Sequence, residues 1–124
     1  MTKALGTLGL ALRAGKLAAG VDAVDNVVYG KKARLVCTAK DAGSRAKEKA
    51  DNAPDVSNAL TFHTALTREQ MGNALGMPEC TIVALLDDGF AHSFAAALGV
   101  EGELLDTLEQ RKVRALQRKQ KKRR

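Results

Sequence analysis

The side chains best suited to nucleophilic or metal chemistry are two thiols, Cys37 and Cys80, and two imidazoles, His63 and His92. Neither cysteine stands in a CxxC pair, and the histidines lie far along the chain from each other and from both thiols, so the spacing of a metal site is missing. Cys37 falls inside an apolar run and no pattern ties it to a histidine, which leaves nucleophilic catalysis without a basis. The chain has no P-loop and no GxGxxG after a strand. Three carboxylates are better placed. Asp41, Asp87 and Asp88 follow predicted strands, where doubly wound proteins often hold Mg²⁺ or other chemistry. They define an enzyme-class alternative, a receiver-like phosphoacceptor domain. Turn formation and helix capping account for the same aspartates more simply. The expectation is no catalytic residue, no metal and no cofactor.

The other chemistry on offer is phosphate binding. Residues 1–50 hold ten Lys or Arg against four acids, residues 51–110 hold one cation against ten acids, and residues 111–124 hold nine cations against none. The formal charge of +6 thus conceals blocks of +6, −9 and +9. Polyanions are expected to meet the two ends of the sequence. Arg13, Lys16, Lys31, Lys32 and Arg34 are expected to flank the second helix at both ends and to contact phosphate across one surface. The start of that helix, near Gly20 and Val21, would add free backbone N–H groups. In the tail, Arg111, Lys112, Arg114, Arg118 and Lys119 would bind a phosphate backbone at little cost in specificity. The tail lacks the Trp or Phe that anchors an interfacial helix, so a membrane partner is not expected.

These residues need a scaffold, and 124 positions with 45% hydrophobic and 27% charged residues suit one domain around a single core. With aromatics at 3%, the core must be built from Ala, Val and Leu. Leu5, Leu8 and Leu12 mark one face of a first helix capped by Thr2 and stopped at Gly15. A brief strand or extended link follows over 16–20. Val24, Val27 and Val28 then stripe a second helix that ends at Gly30 in a glycine C-cap. Residues 33–39 form an apolar run fit for a doubly buried strand. A polar helix runs from Ser44 to about Asn52, with Pro54 beyond its end. Strands are predicted over 59–63 and 81–86, separated by a helix that opens on the Thr67/Gln70 capping box and closes at Gly76. A helix carrying Phe90, Phe94 and Leu98 completes the core. Residues 1–100 form the predicted domain and 101–124 a basic extension, amphipathic through Leu104, Leu105, Leu108 and Leu116. The extension is a helical or disordered tail, expected from Gln117 onward to fray or stay disordered without a partner. The alternation of elements predicts an α/β fold, a three-layer α-β-α sandwich with a small mixed sheet.

The opening Ala4–Leu12 run after Lys3 is too short for a signal peptide, is diluted by Gly and Thr and ends at Arg13, and no run approaches a membrane span. Together with the two lone thiols this predicts a soluble, cytoplasmic protein.

Gly15-Lys16-Leu17-Ala18-Ala19-Gly20, the Val-rich helix after it, Gly30-Lys31-Lys32-Ala33-Arg34-Leu35-Val36 and Met71-Gly72-Asn73-Ala74-Leu75-Gly76 together resemble the ribosomal L-seven-Ae superfamily. The stretch Leu8–Lys16 is most similar to its bacterial YlxQ-type branch. The resemblance implies an α-β-α sandwich that grips kink-turn RNA through the loop entering the second helix and the loop before the last strand. In that family the first loop presents a Gly and then an Asn-Glu-x-x-Lys set that reads sheared G·A pairs. Here Gly20 matches, but Asp22, Ala23 and Asn26 occupy the three readout positions. Asp22 brings negative charge toward phosphate and Ala23 can read nothing, so weak or altered readout is expected. Met77 and Pro78 occupy the second RNA-facing loop. The resemblance thus implies a non-enzymatic protein binding structured RNA, ribosomal or kink-turn-like, with ribosome or translation factors as further partners. The alternative of another class is a protein-interaction module in ribosome assembly or translation.

Overall fold

The computed structural model of the chain describes residues 2–122. Ten elements follow in order: α1 (Thr2–Arg13), β1 (Leu17–Ala19), α2 (Val21–Tyr29), β2 (Leu35–Thr38), α3 (Ser44–Val56), β3 (Leu60–His63), α4 (Arg68–Leu75), β4 (Ile82–Leu85), α5 (Asp88–Ala97) and α6 (Glu103–Lys122). The strands form one mixed sheet in the order β1-β4-β2-β3. β4 runs antiparallel to both neighbours, pairing Leu17 with Leu85 and Leu35 with Leu85, while β2 and β3 run parallel with Leu35 beside Leu60. Helices α2 and α3 pack together against one side of the sheet; α1, α4 and α5 form the other layer, with α6 laid on α5. This is the expected three-layer sandwich. All four residues of β2 and of β4 are buried, as central strands between two helical layers must be.

Local signals locate most boundaries. Gly15 takes a left-handed φ of 71° and closes α1 in a Schellman motif, its N–H bonding to Leu12 O and that of Lys16 to Ala11 O. The Thr67/Gln70 capping box is complete, and Gly76 ends α4 at φ 73°. Gly72 is required by packing: a Cβ there would lie 2.5 Å from Glu79 Cα, so the glycine lets the loop before β4 lie directly on α4.

Four expectations need correction. Thr2 is already helical, and the buried face of α1 is Ala4, Leu8 and Ala11, with Leu12 40% exposed; a small residue suits the close approach of α1 to the layer below. Gly30 is not the left-handed residue after α2. It has φ −76°, and Lys31 takes φ 58° instead, closing the same pair of bonds one position later through Lys31 N to Val28 O and Lys32 N to Val27 O. Helix α3 does not stop before Pro54 but carries it in its last turn. Proline removes the N–H that would bond the Ala50 carbonyl, and Thr61 Oγ1 donates to that carbonyl at 2.7 Å in its place. The tail does not unravel at Gln117: α6 continues to Lys122, free of Gly and Pro and with its acids at the start and its cations at the end, where they oppose the helix dipole. Leu108, on the second turn of α6, is fully buried. Arg123 and Arg124 of the predicted basic run lie outside the described residues.

Candidate nucleic-acid interface

The strand registers divide the predicted site residues between opposite ends of the sheet. At one end β1 finishes and α2 starts. Gly20 adopts φ 93°, a conformation closed to residues with a Cβ, and its N–H bonds Ile82 O at the start of β4, so the loop entering α2 sits beside the loop carrying Met77 and Pro78. The Gly20 N–H is therefore already engaged, and no side chain caps the helix. Val21 is half-buried; Asp22 and Met77 are exposed. Asp22 forms a loose 3.5 Å pair with Arg45, both side chains in water. Arg68 is shared between Asp41 at 3.7 Å and Glu79 at 3.4 Å. Carboxylates thus answer the cations at this end. Asn26 projects into solvent one turn before α2 ends.

The opposite end is basic. Arg34 precedes β2, and its N–H bonds Leu85 O; Lys16 precedes β1, and its carbonyl accepts from Leu86 N. Both therefore flank the C-terminal end of β4. Lys31 and Lys32 leave α2 at this same end, and Arg13 leaves α1 just before Lys16. The five cations expected at both ends of α2 are gathered at its C-terminal end alone, because β1 and α2 run in opposite directions across the sheet.

Helix α6 descends onto this end. Arg111 Nη1 donates to Asn58 O at 2.9 Å, which fastens the helix to the turn between α3 and β3. From there Arg111, Arg114, Arg118 and Lys121 recur at steps of three and four, one row on one face. With Arg34, Asn58 and Gln117 they line a cleft of about 500 Å³. Arg34 is held by a 2.8 Å ion pair from its Nε to Asp88, a buried carboxylate at the start of α5. Burial first, and then the nearby Arg34 charge, lower the pKa of Arg111 from the ordinary guanidinium value. The cleft is therefore a place where positive charges repel one another and an anion relieves them. Lys112 and Lys119 fall outside the row. Asn58, Gln117 and Lys121 were not singled out from sequence. The three-and-four spacing of the tail cations was there to mark Lys121 and its row, but Asn58 comes from a distant turn and carries no sequence signal.

The acidic alternative does not assemble. β2 and β4 are antiparallel, so Asp41 lies at one end of the sheet and Asp87 and Asp88 at the other. Asp41 accepts from Arg68 N–H, Asp87 caps α5 through Phe90 N–H, and Asp88 holds Arg34. A hydroxyl–imidazole–carboxylate chain does occur, with Thr38 Oγ1 2.6 Å from His63 Nδ1 and His63 Nε2 2.8 Å from Asp51. Thr38 is wholly buried in the central strand, so the chain ties β2, β3 and α3 together and presents no nucleophile. Burial also pushes both thiols up, Cys37 the further. No cluster of metal-ligating side chains and no helix able to cross a membrane occurs among the described residues.

No protein-family model matches the chain. It is 30% identical over 91 residues to the RNA-binding protein YlxQ of Bacillus subtilis (strain 168), covering 73% of this chain and 90% of that protein. The YlxQ protein of Enterococcus faecium is 29% identical over 89 residues, 72% of this chain and 84% of its own. Among solved structures, a protein of unknown function from Bacillus halodurans C superposes with a TM-score of 0.71 at 29% identity, over 80% of this chain and 99% of that one. The Giardia lamblia 15.5kD RNA binding protein shares the fold, with a TM-score of 0.62 at 15% identity over 86% and 88% of the two chains. The chain belongs to the YlxQ family.

Proposed function

We propose that this chain is a non-enzymatic RNA-binding protein whose affinity comes from its basic end. The observation that carries the reading is the meeting, at one end of the sheet, of Arg34 with the row on α6, at the end where Arg13, Lys16, Lys31 and Lys32 also leave their elements. Two separate blocks of sequence charge become one surface, and its natural partner is a polyphosphate backbone. The names of the YlxQ relatives support RNA over other polyanions. The partner is a structured RNA, ribosomal or kink-turn-like, met in the cytoplasm. Gly20 keeps the glycine of the family's reading loop, while Asp22, Ala23 and Asn26 leave that loop with little to read. Binding is therefore strong in its salt dependence and weak in its discrimination.

The test is a titration of the chain, and of a form ending at Gln110, against a kink-turn RNA with intact or disrupted G·A pairs across a salt series. Each phosphate contact contributes roughly 0.7–0.9 to the logarithmic salt slope, so removing the tail should flatten the slope by about three contacts or more. The two RNAs should bind within about threefold of each other, since a single good base contact would already give roughly 1–3 kcal/mol. Equal slopes for the two proteins would overturn the role of the tail. Absence of binding to either RNA would overturn the function.

A further inference from the structure

We infer that the cleft between α6 and the turn before β3 is a site for a short single-stranded RNA segment, separate from the family's loop at the other end of the sheet. The inference rests on the RNA-binding reading and narrows it.

Shape is the first argument. A concave space of about 500 Å³ has the size of a site for one or two nucleotides. A duplex is a convex cylinder and could only touch the rim. The second argument is how the cations are held. Arg34 is fixed by buried Asp88 and Arg111 by the Asn58 carbonyl, so two guanidinium groups are oriented before any ligand arrives. Guanidinium groups bind phosphate oxygens through paired N–H donors, and holding them in advance removes part of the ordering cost. Arg114, Arg118 and Lys121 continue the row along the helix at a rise of about 5 Å per step, which follows a strand rather than a single ion. The third argument is the presence of amides. Asn58 and Gln117 line the same cleft, and among the described residues neither side-chain amide has a protein partner. An amide pairs with the edge of a base, and base edges are open to it in a single strand. Phosphate on the arginines and Lys121 and a base against the amides account for every polar side chain lining the cleft.

The experiment is an anisotropy titration of the full chain with a labelled RNA hexamer, single-stranded or in a duplex of equal length, with ATP as a competitor. Two variants each remove two positive charges: Arg114→Gln with Arg118→Gln at the cleft, and Lys3→Gln with Lys47→Gln on the exposed faces of α1 and α3. The single strand should bind about tenfold more tightly than the duplex, and the cleft pair should lose about tenfold where the remote pair loses less than about threefold. Gln117→Ala, a change any helix accepts, should alter the preference among homopolymer hexamers and leave the salt slope unchanged. Equal losses from the two charge pairs, preference for the duplex, or displacement of the hexamer by ATP at equal concentration would each overturn the assignment. If long structured RNA still binds while the hexamer does not, the cleft inference alone fails; if no RNA binds, the functional reading fails with it.

Discussion

Lys31 is the residue at which stability and binding separate. Its φ of 58° is a left-handed conformation that costs an L side chain roughly 1–2 kcal/mol, and the neighbouring Gly30, which could take it freely, sits at φ −76°. The strain keeps a charged side chain at the tip of the basic end, consistent with strain being tolerated where a residue is used. Lys31→Gly should raise stability by about 0.5–1 kcal/mol, a melting temperature higher by a few degrees, and weaken RNA binding by about threefold. Thermal melts and titrations of the same preparation decide it: a variant that is less stable, or that binds RNA undiminished, removes the argument. The off-by-one expectation at Gly30 has a physical origin. A glycine near a helix end signals a stop, but only the pattern of carbonyls left to satisfy decides which residue turns left-handed. Thr67, Gln70 and Gly15 were legible because each acts on bonds within a few residues of itself. Asp88 was not, since its partner Arg34 lies 54 positions away.

Among the elements, α6 departs furthest from its sequence. Its alternation of Leu with acids predicts a helix through Leu116, and its cations predict fraying, yet it holds to Lys122. Arg111, Arg114, Arg118 and Lys121 are like charges at helical spacing, each pair costing a few tenths of a kcal/mol, ~1 kcal/mol in all. High helix propensity and a favourable end of the dipole offset that cost. The last turns are thus balanced, and far-UV circular dichroism should show helical signal rising when the chain is taken to about 1 M salt, and again when RNA is added at low salt. A signal that falls in salt would mean that the favourable charge–dipole term outweighs the repulsion, and one unchanged in both cases would mean that the helix does not depend on charge screening. Pro54 in α3 makes the complementary point. Its signal was local and strong, and it was overridden by Thr61, a residue on another element that no reading of α3 alone could supply.

At the scale of the molecule, the two ends of the sheet make different demands on RNA. The Gly20 end keeps the glycine of the loop that the resemblance points to but not its readout side chains, so Asp22→Asn, Ala23→Glu and Asn26→Lys together are expected to confer reading there. Net charge changes by only +1, since two of the substitutions add a charge and one removes it. A gain of about tenfold or more confined to RNA with intact G·A pairs is expected, measured as a titration of the triple variant and parent against matched intact and disrupted kink-turns. An equal gain on both RNAs, or none, would mean that the loop does not hold RNA as its relatives' geometry implies. The cleft was illegible for a reason that applies to the whole fold: the row on α6 could be counted from sequence, but its facing wall of Arg34 and Asn58 exists only once β2 and β3 are paired and α6 is docked. The run of α6 from Glu103 at one end to its cations at the other gives the molecule a lengthwise electric dipole, reinforced by the paired carboxylates around Asp41 and Glu79. In the field of a polyanion such a body turns before it touches. Encounters are therefore orientated during diffusion, and the effect of salt falls largely on the rate of association, with the lifetime of the complex set afterwards by the contacts inside the cleft.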